Sequence, residues 1–208
     1  MDKLFNNLYI YEIVMLFLGI FLFMLLCVAL AYLLYKGENI KKLLYFFVVS
    51  IIMIGYPSIQ EIQIENDKIA FTKFKDQVRD NPNDTTALAN LEKLLPTIES
   101  RSKSPDDLIQ LSEAYVLTEN SEKAIEVAEK GIKKEANIEE SETLRQEHLT
   151  SLKNIKQAAK IQKEIVQRKS SDSIVLSRDQ LQKIQTLNPK TRSYFDQKYM
   201  KKSVIRDQ

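Results

Sequence analysis

Two apolar runs set closely together constrain this chain more than any other feature. Residues 13–35 contain 23 side chains without a charge, and residues 43–59 contain 17 more. At about 1.5 Å per helical residue the first run exceeds the roughly 30 Å hydrocarbon core of a bilayer, and the second sits at the lower limit for spanning it. Seven residues, 36–42, separate the runs, with Gly37 and Asn39 suited to a turn. Two helices joined so tightly must run antiparallel, which puts both chain ends on one side of a membrane. A cleaved leader would have a shorter apolar centre and small residues at its end, whereas the first run closes on Ala-Tyr-Leu-Leu-Tyr-Lys. Tyr9, Tyr11, Tyr32, Tyr35, Tyr45 and Tyr56 lie near the run ends, where interfacial tyrosines collect.

The charge pattern predicts sidedness. Lys36, Lys41 and Lys42 crowd the short loop against Glu38, and loops enriched in lysine stay cytoplasmic. Residues 60–208 are then expected outside the cytoplasmic membrane, on the periplasmic side of an inner membrane. Lys68, Lys73, Lys75 and Arg79 follow the second run within about 20 residues and weigh the other way.

The remainder is predicted to be all-α. After Gly55 the only glycine is Gly131, and long stretches are rich in Glu, Lys, Gln, Leu and Ala. Residues 60–208 carry 26 basic and 25 acidic side chains, so no long-range field steers nucleic acid toward them. Apolar periodicity at Ile62, Ile69, Ala70, Phe74 and Val78 predicts a helix over 60–79, ended by Pro82. Asp84 or Thr85 caps a second helix, which Pro96 is expected to bend or end near Leu95. Ser104 before Pro105 reads as an N-cap with proline at the first helical position, and Asp106 and Asp107 complement the helix dipole. Residues 139–168 read as one long helix, or as a poor third repeat. Residues 169–173 read as a linker, followed by a short helix opened by Ser177 or Asp179 and broken at 188–191, then a last turn or two with Tyr194, Phe195 and Tyr199.

Residues 105–138 have the 34-residue length of a tetratricopeptide repeat (TPR), with Leu108, Leu111, Ser112 and Tyr115 in the first helix and Ala124, Ala128 and Gly131 in the second. This stretch resembles that family, with Ala136 standing where the family usually has proline. Residues 69–82 look like the second helix of a degenerate repeat, with Ala70 at its small position and Phe74 at its large one. The resemblance implies a TPR-like α-solenoid over residues 60–168, anchored by residues 1–59, and a concave binding face formed by Asp106, Ile109, Glu113, Val116 and Leu117. Family members that bind C-terminal carboxylates carry Lys, Arg and Asn on that face. Ile109 and Glu113 depart from this and favour an apolar segment as ligand. The competing expectation is that the preceding helix covers Ile109, Val116 and Leu117. In layout the chain is similar to bacterial cytochrome c maturation factors with two membrane helices and a periplasmic repeat domain.

Little in the sequence points to catalysis. His148 is the single histidine, in the row of Leu144 and Leu152, and reads as a packing residue. Cys27 is the single cysteine and lies inside the first run, which excludes an intramolecular disulfide and a thiolate metal cluster. No phosphate-binding glycine loop or zinc-protease helix occurs, and no cofactor or metal is expected. The reading is a non-enzymatic adaptor or assembly factor with a protein partner. The alternatives are an accessory subunit of a transport or channel complex, against which the charge-free runs weigh, and a structural protein that self-associates through its long helix.

Overall fold

The computed structural model describes residues 9–37, 40–135, 142–167, 174–200 and 203–205. Eight helices make up nearly all of it: α1 (Ile10–Lys36), α2 (Lys41–Asp80), α3 (Thr85–Arg101), α4 (Pro105–Leu117), α5 (Ser121–Glu135), α6 (Glu142–Gln167), α7 (Arg178–Gln185) and α8 (Pro189–Lys198). The exception to the expected all-α fold is one pair of three-residue strands, β1 (Ile174–Leu176) and β2 (Ser203–Ile205), paired in parallel with Ile174 opposite Ser203. A parallel pair needs a long crossover, and α7 and α8 supply it. The chain forms two compact units, Met1–Asp67 and Lys68–Gln208.

In the first unit, α1 and the first half of α2 run antiparallel, and both are long and apolar enough to cross a membrane. Gly37 ends α1 at φ +68°, a left-handed conformation that glycine adopts without strain, and its N–H is donated back to the last carbonyls. The helices touch where Gly19 has no side chain: a Cβ there would lie 2.9 Å from Ile54 Cγ1 and 3.2 Å from the Ile54 backbone nitrogen. Ser50 Oγ donates to the Gly19 carbonyl at 2.9 Å, and the Phe23 and Phe47 rings meet edge to face. Small residues and cross-helix hydrogen bonds are what let apolar helices pair in lipid.

The helix expected to start at residue 60 has no start of its own. α2 continues unbroken from Lys41 to Asp80, through Pro57. Residues 58–80 contain neither proline nor glycine, so nothing stops the helix before Asn81 and Pro82. Its inward row also differs from the one read off the sequence. Phe71, Lys75 and Val78 are buried, Phe74 is half-buried and Ile69 is exposed. A continuous helix carries its rotational phase along its whole length, so its inward face is not set by the local apolar spacing alone.

The second unit is built around α4, α5 and α6. Asp84 caps α3 by accepting from the Thr86 and Ala87 amides. Pro96 neither ends nor interrupts α3, because Leu91, Leu95 and Ile98 remain buried on both sides of it and hold the helix together past the missing hydrogen bond. Ser104 and Asp107 form a reciprocal capping box at the start of α4, with Pro105 at the first position. α5 returns antiparallel after a short turn, and Ala114, Ala124 and Ala128 are fully buried. α6 is one helix of 26 residues, so no third two-helix repeat occurs there. Gly131 of α5 faces it so closely that a Cβ would lie 2.9 Å from both Leu152 methyls. Asn188 and Pro189, expected to break a helix, cap and open α8. Tyr194, Phe195 and Tyr199 belong to the central core, so the unit reaches past residue 168, where the helical domain was expected to close. The expected linker at 169–173 and Ala136 lie outside the described residues.

Candidate protein-binding face

The five residues expected to line a concave face separate in the structure. All lie on α4, but Val116 and Leu117 are 2% and 3% exposed and belong to the core. They are covered from the C-terminal side. Gln162 of α6 donates to the Val116 carbonyl at 2.8 Å and to Tyr199 Oη at 2.9 Å, while its own oxygen accepts from Ser121 Oγ at 2.9 Å. Tyr194 Oη of α8 donates to the Leu117 carbonyl at 3.1 Å. Burial pushes the Tyr194 phenol far above its ordinary range, so it serves as a fixed neutral donor. The C-terminal aromatics were legible only as an amphipathic turn because their partners lie 77 residues upstream for the Tyr194–Leu117 contact.

Ile109 and Glu113 remain partly open and line one groove. Its walls come from α4 (Ile109, Glu113), α6 (Ser151, Ile155) and the start of α8 (Asn188, Pro189, Lys190, Thr191), and it encloses about 420 Å³. Its surface is mainly apolar, set by Ile109, Ile155 and Pro189, with Lys190 and Glu113 as its charged groups. A pocket of this size and lining accommodates a few apolar side chains with polar groups fixing their orientation. A small cleft bounded by Arg79, Val116, Leu117 and Tyr194 shares Glu113, Ile155 and Thr191 with it.

Glu113 is already engaged by α2. Lys75, whose side chain is 4% exposed, donates to Glu113 at 2.9 Å and to the Gln110 amide oxygen, and Arg79 lies 3.6 Å from Glu113. Two turns earlier Lys68 meets Asp107 at 3.1 Å. Burial pushes the Asp107 carboxyl up, but the Ser104 hydrogen bonds and the Lys68 ammonium outweigh it and hold it below the usual carboxylate range. On the other flank of α4, Tyr115 Oη donates to Glu99 at 2.6 Å. That bond, with Lys123 nearby and burial opposing, lowers the Glu99 carboxyl.

Asp106 takes no part in the groove. Its carboxylate, 78% exposed, meets His148 Nε2 at 3.1 Å, while His148 Nδ1 faces Glu135 Oε1 at 2.5 Å. Glu135 is wholly buried, and among the described residues its second oxygen has no hydrogen-bond partner. His148 thus links α4, α5 and α6 through its two ring nitrogens, which its apolar row did not announce. Among the described residues no group of three His, Cys, Asp or Glu side chains is arranged to hold a metal ion. No family model, curated protein or solved structure matches this chain, so its reading rests on the residues themselves.

Proposed function

We propose that this chain is a membrane-anchored adaptor or assembly factor. Its helical unit displays a binding groove for an apolar segment of a protein partner, on the outer, periplasmic side of a cytoplasmic membrane. The observation that carries the reading is the groove between α4, α6 and α8: a mainly apolar surface, open to solvent, lined by two positions of the TPR-like face, Ile109 and Glu113. Two helices long and apolar enough to span a bilayer support the anchor. The lysine-bearing turn supports a cytoplasmic loop. The α4–α5 pair, with its small residues at the close approach, supports kinship of construction with a TPR hairpin.

The test is site-specific photocrosslinking in intact membranes from Ile109 and Pro189, with exposed Lys130 of α5 as a control position. A partner captured from both groove positions and absent from Lys130, with capture from Pro189 lost in an Ile109→Arg variant that keeps the parent's circular dichroism, is the expected result. Equal capture from Lys130, or capture from Pro189 that survives Ile109→Arg, refutes the groove. Sidedness is read separately with Cys27→Ser carrying Ser193→Cys: an impermeant maleimide added outside intact cells, with the outer membrane permeabilised where one is present, labels it under the proposal. Labelling only after the cytoplasmic membrane is broken reverses the topology.

A further inference from the structure

We propose that the first half of α2 pairs with its counterpart in a second copy of the chain, as a parallel two-helix seam. Tyr45, Val48, Ile52, Gly55, Ile59 and Ile62 follow a spacing of three and four, and Asn66 continues it. These are the a and d positions of three heptads. The row directly opposite, at f, consists of Ser50, Pro57 and Ile64, and all three are buried. α2 therefore turns its f row inward, where Ser50 bonds to Gly19 of α1, and presents the a/d row outward.

Three observations separate this row from a face that merely greets lipid. First, Gly55 stands in the middle of a 40-residue helix with nothing within 4 Å of where its Cβ would be. Glycine weakens a helix, and among the described residues no contact calls for one here, whereas a helix approaching from outside does. Second, Ile59 and Ile62 are 57% and 62% exposed at the point where the sequence turns polar, with Gln60, Glu61, Gln63 and Glu65 around them. About 20 helical residues counted from Lys41 fill the hydrocarbon core and end near Gln60, which sets Ile62 at its polar edge. Third, Asn66 occupies an a position, where one asparagine pairs with its equivalent across a parallel dimer and fixes register and copy number.

A second copy suits this row better than an unrelated chain because the arrangement is self-complementary. Hairpins inserted with one topology carry parallel α2 helices, and a twofold axis along the membrane normal sets Gly55 against Gly55 and Asn66 against Asn66.

The proposal rests on the membrane reading of the hairpin but not on the groove. In the full-length chain carrying Cys27→Ser, single cysteines are placed at Ile59→Cys and Ile62→Cys on the seam and at Glu61→Cys beside it, and native membranes are oxidised. Rapid covalent homodimers at 59 and 62, at least tenfold faster than at 61, are expected. Gly55→Leu in reconstituted vesicles should lower the dimer fraction counted by single-molecule photobleaching at least tenfold. Equal crosslinking at 61, adducts with a different protein, or an unchanged dimer fraction in Gly55→Leu overturns the pairing. Release of the chain by alkaline carbonate overturns the membrane reading and the seam with it, while retention without seam crosslinks overturns the seam alone.

Discussion

Replacing His148 with alanine should cost more stability than any other single change at a polar side chain in the second unit. Glu135 is wholly buried, its Oε1 faces His148 Nδ1 at 2.5 Å and its Oε2 has no partner, so the histidine supplies all the hydrogen bonding that the structure gives this carboxyl. Leaving a buried carboxyl without its hydrogen-bond partner typically costs about 1–3 kcal/mol, because the group keeps its desolvation penalty without its compensation. A domain of this size has roughly 5–15 kcal/mol in total. At about 3–4 °C per kcal/mol for some 140 residues, the melting temperature should fall by about 3–12 °C. The contact with Asp106 is different in kind: that carboxylate is largely in water, so Asp106→Ala should cost less than about 1 kcal/mol. Thermal unfolding of the full chain in detergent micelles, followed by circular dichroism at fixed pH, measures both. His148→Leu combined with Glu135→Leu should recover most of the loss, since an apolar pair in a buried site is often neutral or better. A His148→Ala variant within 1 kcal/mol of the parent, or a double mutant whose loss is the sum of the single losses, refutes the reasoning.

Further outcomes follow from contacts elsewhere. Gly131→Val drives a branched side chain into the Leu152 methyls and should cost about 1–3 kcal/mol in the same assay. Gly131→Ala should cost less, because the gain in helix propensity, up to about 1 kcal/mol, works against the clash. The lowered Asp107 and Glu99 carboxyls contribute stability that is fully present above their unfolded values near pH 4 and is lost as the pH falls through their folded values. Denaturant midpoints measured from pH 5 down to pH 2.5 should decline, and Asp107→Asn should flatten the decline. Gly19→Leu should separate α1 from α2, detected as lost crosslinking between cysteines placed at Phe23 and Phe47. Glu113→Gln should destabilise the second unit by strengthening the burden on Lys75, and adding Lys75→Met should restore it.

What the sequence made legible was local. The two helices long and apolar enough to cross a membrane, the Asp84 and Ser104 caps and the single helix of 26 residues rest on composition, cap chemistry and missing breakers, all of which act within a few residues. The misreadings involve distance. Pro96 was expected to bend or end a helix that tertiary burial carries through, and α2 runs unbroken where a separate start was expected. Val116 and Leu117 look open on α4 alone and are closed by Tyr194 and Gln162, which no repeat frame includes. His148 lies in an apolar row, yet its partner Glu135 is 13 residues away at the end of another helix. A histidine's spacing gives its face, while its charge state and role depend on what that face meets.

The charges around Glu113 narrow what the groove can hold. Read on α4 alone, Glu113 is an anion on a binding face and asks for a cationic ligand. With Lys75 bonded to it and Arg79 beside it, its charge is already met, and a ligand cation would compete with two that the fold holds in place. Lys190, at the opposite wall, is then the only charged side chain of the groove lining left unmatched within that lining. Under the proposed function, the chemistry that fits is an apolar segment over Ile109 and Pro189, with any acidic group directed toward Lys190. Recognition of this kind draws affinity from the floor and orientation from the rim, so truncating Ile109 should weaken binding more than neutralising Lys190.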